Sequence, residues 1–301
     1  MAVTRREFCA ALGAGVAAAA LAGEKQEGFQ LRTILGSSLY GRLKLEDILP
    51  EIRKTGAEHI DIWPEGHANQ REQMEAMGHE KFAGLLQQHG VKLGILTRYD
   101  LGPFGLKPEM AVAKKLGASM LISGCGGPKG LRGDDLKAAA AKFIEQMKPH
   151  VAAAEEAGLV LGIENHGNTL LDSPDAVRCF ADAVRSKHIG VALAPYHLPQ
   201  DAAALGKLIE DLGERLVHFY AWQHGKGCMT KLPKEEELLQ MPGRGPLDFT
   251  PLVAALKKIG YRGWTEVFMH PVPRGIPILP TAAEVTAEVV KAQRYLEGCL
   301  K

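Results

Sequence analysis

The chain has no stretch of about 20 apolar residues of the kind that a membrane-spanning helix requires. Its 36 Lys and Arg residues nearly balance its 35 Asp and Glu residues, so that the net charge is only +1. It therefore lacks the basic excess that favours a polyanionic partner such as nucleic acid. Of its 301 residues, 46% are hydrophobic and 24% are charged. This is an ordinary globular composition with enough apolar residues for one large core.

Cysteine is scarce and scattered. The chain has five Cys residues, one near the N-terminus and the others at Cys125, Cys179, Cys228 and Cys299, without a C-x-x-C pair. This spacing argues against a disulfide scaffold and against a zinc ribbon. A Pro/Ser linker, a low-complexity tract and a short repeat are also absent from the sequence. We therefore expect one domain after the N-terminal segment.

The first 22 residues have the pattern of a twin-arginine signal peptide. T-R-R-E-F at residues 4–8 precedes a run of small apolar residues at 10–22, which is too short for a membrane anchor. A-L-A at residues 20–22 fits an A-x-A cleavage site. We expect cleavage after Ala22, a mature domain of residues 23–301 and export to the periplasm. The alternative is an ordinary basic N-terminus followed by a flexible tail.

Strand-like apolar runs and helix-like stretches alternate eight times after residue 30. The predicted strands are 31–37, 59–63, 91–97, 118–122, 159–164, 188–193, 216–222 and 263–268. Alternating β and α units predict a parallel sheet, and eight of them in about 270 residues fit a single-domain α/β fold, the (β/α)₈ TIM barrel. A doubly wound sheet is the alternative. It would more naturally begin with a Gly-rich phosphate turn, but GSSLYG at residues 36–41 is not G-x-G-x-x-G.

Three polar residues are embedded in apolar strands. Glu164 ends the fifth strand, His218 lies within the seventh, and Glu266 lies within the eighth. The carboxyl ends of barrel strands form the site of chemistry, and a buried ionised Glu is costly without a partner. Two carboxylates and an imidazole suit Mn²⁺, Mg²⁺, Co²⁺ or Zn²⁺, so the three predict a divalent-metal site. Taken singly, His218 is also compatible with a hydrogen-bonded core histidine and Glu266 with an interior salt bridge.

Five segments of the chain carry recognisable motifs. They are Gly162-Ile-Glu-Asn-His166, the Pro-Tyr-His197 turn, Val217-His-Phe-Tyr-Ala-Trp222, Pro242-Gly-Arg-Gly-Pro-Leu-Asp-Phe249 and Trp264-Thr-Glu-Val-Phe268. These motifs resemble those of the sugar phosphate isomerase/epimerase family. That family belongs to the xylose isomerase-like TIM barrels, which also include ketose 3-epimerases, inosose dehydratases and endonuclease IV. The resemblance covers essentially the whole mature chain but does not specify the substrate.

The resemblance implies a metal held by Glu on strand five, Asp on strand six, His on strand seven and Glu on strand eight. Glu164, His218 and Glu266 match this pattern. The sixth-strand motif, usually Asp-x-x-His, here contains Ala194 and His197. Three outcomes are therefore open. The ion is held by three protein ligands plus water or substrate, His197 becomes a fourth ligand, or the site has lost its metal.

The resemblance to ketose epimerases also implies a mechanism. Glu164 and Glu266 would be the catalytic pair, one removing a proton α to a carbonyl and the other returning one, while the metal polarises the carbonyl. His166 and His197 would orient hydroxyl groups or act as an acid. Epimerisation, isomerisation and β-elimination all fit this chemistry. The expected partner is a small sugar or keto-sugar.

Two tryptophans at strand ends, Trp63 and Trp222, are candidates for stacking on a sugar ring, or else they pack the end of the barrel. The polar loop at 223–245 is a lid, a surface excursion or an oligomer contact. Three cations outside the strands are treated as surface residues, namely Lys129, Arg132 and Arg274. Nucleic acid and a membrane span are not expected, and a homo-oligomer is left open.

The sequence has two rival functional interpretations. An endonuclease IV activity requires three metals and the sixth-strand Asp, which is absent. An exported barrel that binds a sugar without turnover is the stronger rival, because Ala194 replaces a metal ligand. The two retained glutamates, Glu164 and Glu266, argue against it, since a pure binder has no need of paired carboxylates.

Overall fold

The structure is a computed structural model that describes residues 28–225 and 232–301. The predicted signal peptide and its cleavage site therefore lie outside the described residues. Within the described residues, no helix combines the length and the apolar character that crossing a membrane requires.

Eight parallel strands close into a barrel in the order β1 to β8, and β8 pairs with β1. The strands are β1 (Thr33–Gly36), β2 (His59–Ile62), β3 (Lys92–Thr97), β4 (Met120–Gly124), β5 (Val160–Glu164), β6 (Ile189–Leu193), β7 (Leu216–Ala221) and β8 (Trp264–Val267). The predicted (β/α)₈ barrel is thus confirmed. The strands are buried on both faces, as their continuous apolar runs require. In β6, for example, all five residues are buried.

Nine α-helices surround the barrel in the described part of the chain. They are α1 (Leu45–Ile52), α2 (Gln70–Met77), α3 (His79–Gln88), α4 (Lys107–Leu116), α5 (Gly133–Ala157), α6 (Pro174–Ala183), α7 (Ala202–Leu212), α8 (Thr250–Lys258) and α9 (Ala282–Gly298). The sequence analysis did not predict α2, because its sequence QREQMEAM is mostly polar and shows little apolar periodicity.

The sequence pairs Ser173-Pro174 and Thr250-Pro251 each predict an N-cap followed by proline at the first helical position. Ser173 is the N-cap of α6, and its side chain accepts a hydrogen bond from the Ala176 backbone N–H at 3.3 Å. Thr250, predicted as a cap in the same way, is instead the first residue of α8. Its backbone N–H donates to the Asp248 carboxylate at 2.9 Å. The helix start is therefore displaced by one residue.

The strand register sets the predicted site residues at neighbouring positions around one end of the barrel. Ala192 of β6 lies opposite both Glu164 of β5 and His218 of β7. Tyr220 of β7 lies opposite Glu266 of β8. Because parallel strands present their carboxyl ends on the same side, these four strands bring their polar residues to one end.

Candidate active site

A cavity of about 160 Å³ opens at the carboxyl end of the barrel. Trp63, Tyr99, Glu164 and Phe268 line it, together with four histidines and one arginine. Trp63 is stacked on Phe268, with ring centroids 4.9 Å apart and an interplanar angle of 22°. The cavity therefore has an aromatic wall and a set of polar groups, a combination suited to a small ligand with several hydroxyl groups.

Glu164 is the carboxyl group that lines this cavity. The residue is 6% exposed. Burial raises the pKa of Glu164 to about 8, although the Tyr99 hydroxyl and the charge of Arg274 act in the opposite direction. A carboxyl group with a pKa near neutrality is suited to exchanging a proton with a substrate.

The four histidines of the cavity form two ring pairs. His166 and His197 have centroids 3.9 Å apart, and His67 and His270 have centroids 4.7 Å apart. Burial lowers the pKa of His67 to about 3 and that of His197 to about 2. Burial also lowers the pKa of His166 and of His270. All four are therefore neutral imidazoles, which can donate one hydrogen bond and accept another.

Glu266 and His218 lie deeper than the cavity. Both side chains are fully buried, and His218 Nε2 is 3.4 Å from Glu266 Oε2. The ring of Tyr220 contacts His218 on one side, with centroids 4.3 Å apart, and Phe268 of the cavity wall on the other, at 5.4 Å. Glu266 and His218 are not among the residues that line the described cavity. Of the predicted pair of glutamates, only Glu164 faces the ligand space.

Asp61 of β2 is a site residue that the sequence analysis missed. It is fully buried and accepts hydrogen bonds from the Thr97 backbone N–H at 3.1 Å and from the Thr97 hydroxyl at 2.6 Å. Burial raises the pKa of Asp61 and of Glu266, and the charge of Asp61 raises that of Glu266 further. Burial and the repulsion between the two carboxyl groups therefore both disfavour their simultaneous ionisation.

Asn165 positions the end of β6 next to Glu164. Its side-chain amide donates to the Ala194 carbonyl at 3.0 Å, and its side-chain oxygen accepts from the Ala194 N–H at 2.7 Å. This pair of hydrogen bonds fixes the backbone where the family has its sixth-strand Asp. His197, three residues after Ala194 in the motif, lies with Nε2 3.9 Å from Glu164 Oε1.

The two predicted stacking residues have different surroundings. Trp63 lines the cavity, and its indole nitrogen has no hydrogen-bond partner among the described residues. Trp222 lies behind the cavity wall, where it stacks flat on Tyr196 at 3.8 Å and donates to Gln240 at 3.1 Å. Gln240 in turn binds the backbone of His270. Trp222 thus anchors the described part of the 223–245 loop to the β8 end.

The cations outside the strands also differ in their placement. Lys129 and Arg132 are exposed, as expected of surface residues. Arg274 lines the cavity, although it is exposed at its outer end. The signal that could have found it is its place in the loop after β8, since loops at this end of a barrel supply ligand contacts.

The described residues contain no group of three or more His, Cys, Asp or Glu side chains placed to hold a metal ion. The chemistry of the predicted donors nevertheless fits a divalent cation. Both oxygens of Glu266 and both ring nitrogens of His218 and of His197 are buried without a hydrogen-bond partner in the described structure. Such atoms normally have a partner when they are buried. The predicted set of Glu164, His197, His218 and Glu266 therefore stays a prediction that the donor chemistry supports.

Residues 49–293 match the model of the xylose isomerase-like TIM barrel family. The chain belongs to this family. It is also 23% identical to D-psicose 3-epimerase from Enterocloster bolteae over 126 residues, which are 41% of this chain and 38% of that enzyme. The match thus spans well under half of the curated relative.

Solved structures share the fold over nearly the whole chain. The IolI protein with a bound zinc atom has a TM-score of 0.69 and 16% identity, with 88% of this chain and 98% of that chain covered. D-psicose 3-epimerase in the presence of D-fructose has a TM-score of 0.66 and 16% identity, with 90% and 99% covered. These two neighbours show the fold.

Proposed function

We propose that this protein is a sugar isomerase or epimerase that moves a proton at the carbon next to a carbonyl group. The observation that carries this proposal is Glu164, a buried carboxyl group with a raised pKa that faces a cavity lined by neutral histidines. Glu164 would exchange the proton with the substrate. His166 and His197 would hold the hydroxyl groups, and Trp63 would pack on the sugar ring.

Glu266 would be the second carboxyl group of the reaction. Its carboxyl group lies behind the aromatic wall, and the charge of Glu164 contributes to raising its pKa. Asp61 would act as a positioning residue, because its charge raises the pKa of Glu266 and its own carboxyl group is fixed by Thr97. Proton return from a second carboxyl group is what separates an epimerase from a simple exchange catalyst.

We also propose that a divalent cation takes part, with Glu164, His197, His218 and Glu266 as the residues that would hold it. When bound, such an ion polarises a substrate carbonyl and stabilises negative charge on its oxygen. Elemental analysis of the purified protein, alongside Glu164→Gln and Glu266→Gln variants, tests this part. About one ion per chain is expected, with loss in both variants; a metal-free protein after incubation with Mn²⁺, Co²⁺ or Zn²⁺ would contradict it.

The test of the activity is conversion of a panel of ketoses followed by NMR or chromatography. Glu164→Gln is expected to lower the rate by about 10²- to 10⁴-fold, the range of general acid–base catalysis. Glu65→Gln is the matched control, because Glu65 is an exposed carboxylate at the same end of the barrel, paired with Arg42. A Glu164→Gln variant as active as the control would rule out this assignment.

A sugar-binding barrel without turnover is the second candidate. Ala194 in place of the family Asp and the position of Glu266 behind the cavity wall favour it. Calorimetric binding of a ketose that the protein never converts, with Glu164→Gln binding it equally well, would establish the binder. Conversion that depends on Glu164 would exclude it.

We further propose export through the twin-arginine pathway, which rests on the T-R-R-E-F motif at residues 4–8 and the A-L-A site at 20–22. Fractionation of cells that express the full chain provides the test. The wild-type chain is expected in the periplasm without its first 22 residues, and a variant with Lys at both Arg5 and Arg6 is expected to remain in the cytoplasm. Equal export of both chains would contradict this proposal.

A further inference from the structure

Arg274 is the one Lys or Arg residue among those that line the described cavity. It lies in the segment between β8 and α9, next to His270 of the same loop in the cavity wall. It has no hydrogen bond and no ion pair with another described residue. Among the described residues its guanidinium thus has no carboxylate in ion-pair contact, in contrast to Arg98, which pairs with Asp100 and Glu109.

The charge of Arg274 affects the pKa values of all four histidines that line the cavity. After burial, it contributes to lowering the pKa of His67, of His166, of His197 and of His270. The guanidinium and all four imidazoles line the same cavity. Since these rings are neutral, they do not add to its charge. Glu164, the carboxyl group in the lining, forms no ion pair with Arg274.

The cavity also contains a buried group that lacks a partner. The side chain of His197 is 2% exposed, and neither ring nitrogen has a hydrogen-bond partner in the described structure. A buried polar side chain without a partner is costly, and a ligand in the cavity would satisfy it. The same nitrogens would serve the proposed cation, so this observation indicates a bound metal ion or polar ligand in the cavity that Arg274 lines.

Arg274 lies where the cavity joins a second one. An adjoining space of about 330 Å³ shares His166, His197, His270 and Arg274 with the first. A ligand held by Glu164 and Trp63 in the inner space would therefore direct its far end towards the guanidinium. A cation at this junction favours a ligand whose far end carries a negative charge.

Among the described residues, the lining of the two spaces has one guanidinium and no second Lys or Arg. Its carboxyl groups are Glu164 and Glu237, and Glu237 is paired with Lys234. A guanidinium binds a carboxylate through two parallel hydrogen bonds. A phosphate monoester carries about 1.5 to 2 negative charges at neutral pH, which one cation neutralises only in part. The charge balance thus favours a ligand with one negative charge.

We propose that the substrate is a sugar acid, whose carboxylate Arg274 binds while the inner cavity holds its hydroxyl and carbonyl groups. This inference rests on the proposed function and narrows its substrate class. It assigns to Arg274 a role in specificity, not in the proton transfer.

Isothermal titration calorimetry of the full mature protein, with Mn²⁺ present throughout, tests the inference. The probes are 5-keto-D-gluconate, neutral D-fructose and D-fructose 6-phosphate. The keto acid is expected to bind about 10- to 100-fold more tightly than fructose, the range for a hydrogen-bonded charge. Arg274→Gln is expected to remove this preference, whereas Arg274→Lys retains part of it. Lys129→Gln, at an exposed cation of the same barrel end, is expected to bind like the wild type.

Three results would overturn the inference. They are equal or absent binding of the keto acid relative to fructose, a preference that survives in Arg274→Gln, and tighter binding of the phosphate ester. Failure of the proposed enzymatic function gives results that differ from these three. A keto acid that binds through Arg274 without exchanging a proton would leave the carboxylate site valid and refute the enzyme. Proton exchange in fructose that persists in Arg274→Gln, together with no preference for the keto acid, would support the enzyme and refute the carboxylate site.

Discussion

Gly36 and Gly124 end two strands at the same end of the barrel but differ in what a side chain would meet. A Cβ atom on Gly36 would lie 2.1 Å from Glu266 Oε1, whereas one on Gly124 would lie 3.5 Å from the Tyr99 ring. Gly36 has an ordinary φ of −78°, so that only the contact with Glu266 demands glycine there. The carboxyl group of Glu266 therefore occupies the space that this glycine leaves free.

A Gly36→Ala substitution is expected to displace the Glu266 carboxyl group and to lower the ketose conversion rate by about 10²-fold, as small misplacements of reacting groups do. The Gly124→Ala variant, which makes only an ordinary van der Waals contact, is the control and is expected to stay within a few-fold of the wild type. Steady-state kinetics on both variants checks this. A Gly36→Ala enzyme with the wild-type rate would show that Glu266 has no catalytic role.

Thr97 and Thr265 are buried threonines whose hydroxyl groups differ in their partners. The Thr97 hydroxyl donates to Asp61 at 2.6 Å, whereas the Thr265 hydroxyl has no partner in the described structure. Thr97→Val is expected to lower the free energy of unfolding by about 2 kcal/mol, because it leaves a buried carboxyl group less well satisfied. Thr265→Val is expected to change it by less than about 0.5 kcal/mol. Urea denaturation measures both, and equal effects would contradict the role given to Asp61.

At the scale of the elements, the arginine that follows β3 has a structural role. Arg98 pairs with Glu109 of α4 at 2.5 Å, and Arg71 of α2 pairs with the same carboxylate at 2.9 Å. The side chains of Arg71, Glu109 and Arg98 are only 9%, 8% and 11% exposed. This cluster fastens α2 and α4 to the barrel end. It also explains why a mostly polar segment such as α2 is ordered as a helix.

Glu109→Gln is expected to lower the free energy of unfolding at neutral pH by about 3 kcal/mol, because two buried guanidinium groups lose their shared partner. Burial alone would raise the pKa of Glu109, but the hydrogen bonds from Arg71 and Arg98 outweigh it and lower the pKa. The wild type therefore has this stabilisation above the ordinary glutamate pKa of about 4.3 and loses it as the pH falls through the lowered value.

The measurement is denaturation of both proteins from about pH 7 down to about pH 3. The stability difference between wild type and Glu109→Gln is expected to shrink as Glu109 becomes protonated. Glu75→Gln is the control, because Glu75 pairs with the same Arg71 but is 61% exposed. A constant difference across this range would show that the charge of Glu109 is not what stabilises the cluster.

The sequence was sufficient for the strands and for the residues embedded in them. Continuous apolar runs, which are typical of strands buried on both faces, located all eight strands. Glu164, His218 and Glu266 were recognisable as polar residues within these runs. Asp61 carries the same signal between Ile60 and Ile62, so that this residue could have been found by the same rule. His67, His270 and Arg274 follow strands, so the sequence places them at this end of the barrel. It does not place them in the cavity, because they lie in loops, whose paths depend on contacts such as that of Gln240 with the His270 backbone.

At the scale of the whole molecule, barrel closure decides which residues meet. The pairing of β8 with β1 brings Glu266 opposite Ile34 and next to Gly36, although about 230 residues of chain separate them. The deep carboxyl group therefore exists only in the closed barrel. The cavity, in contrast, is built mainly from the loops beyond the strands, which is where family members vary their chemistry.

The central claim is that this barrel end moves a proton at the carbon next to a carbonyl group. Its most direct measurement is NMR detection of deuterium entering a ketose or keto acid that is incubated with the mature protein in deuterated water. The account predicts one deuterium at the carbon next to the carbonyl, with loss of the exchange in Glu164→Gln and retention in Glu65→Gln. Absence of deuterium uptake across the whole panel by folded wild-type protein, or uptake unaffected by Glu164→Gln, would contradict it.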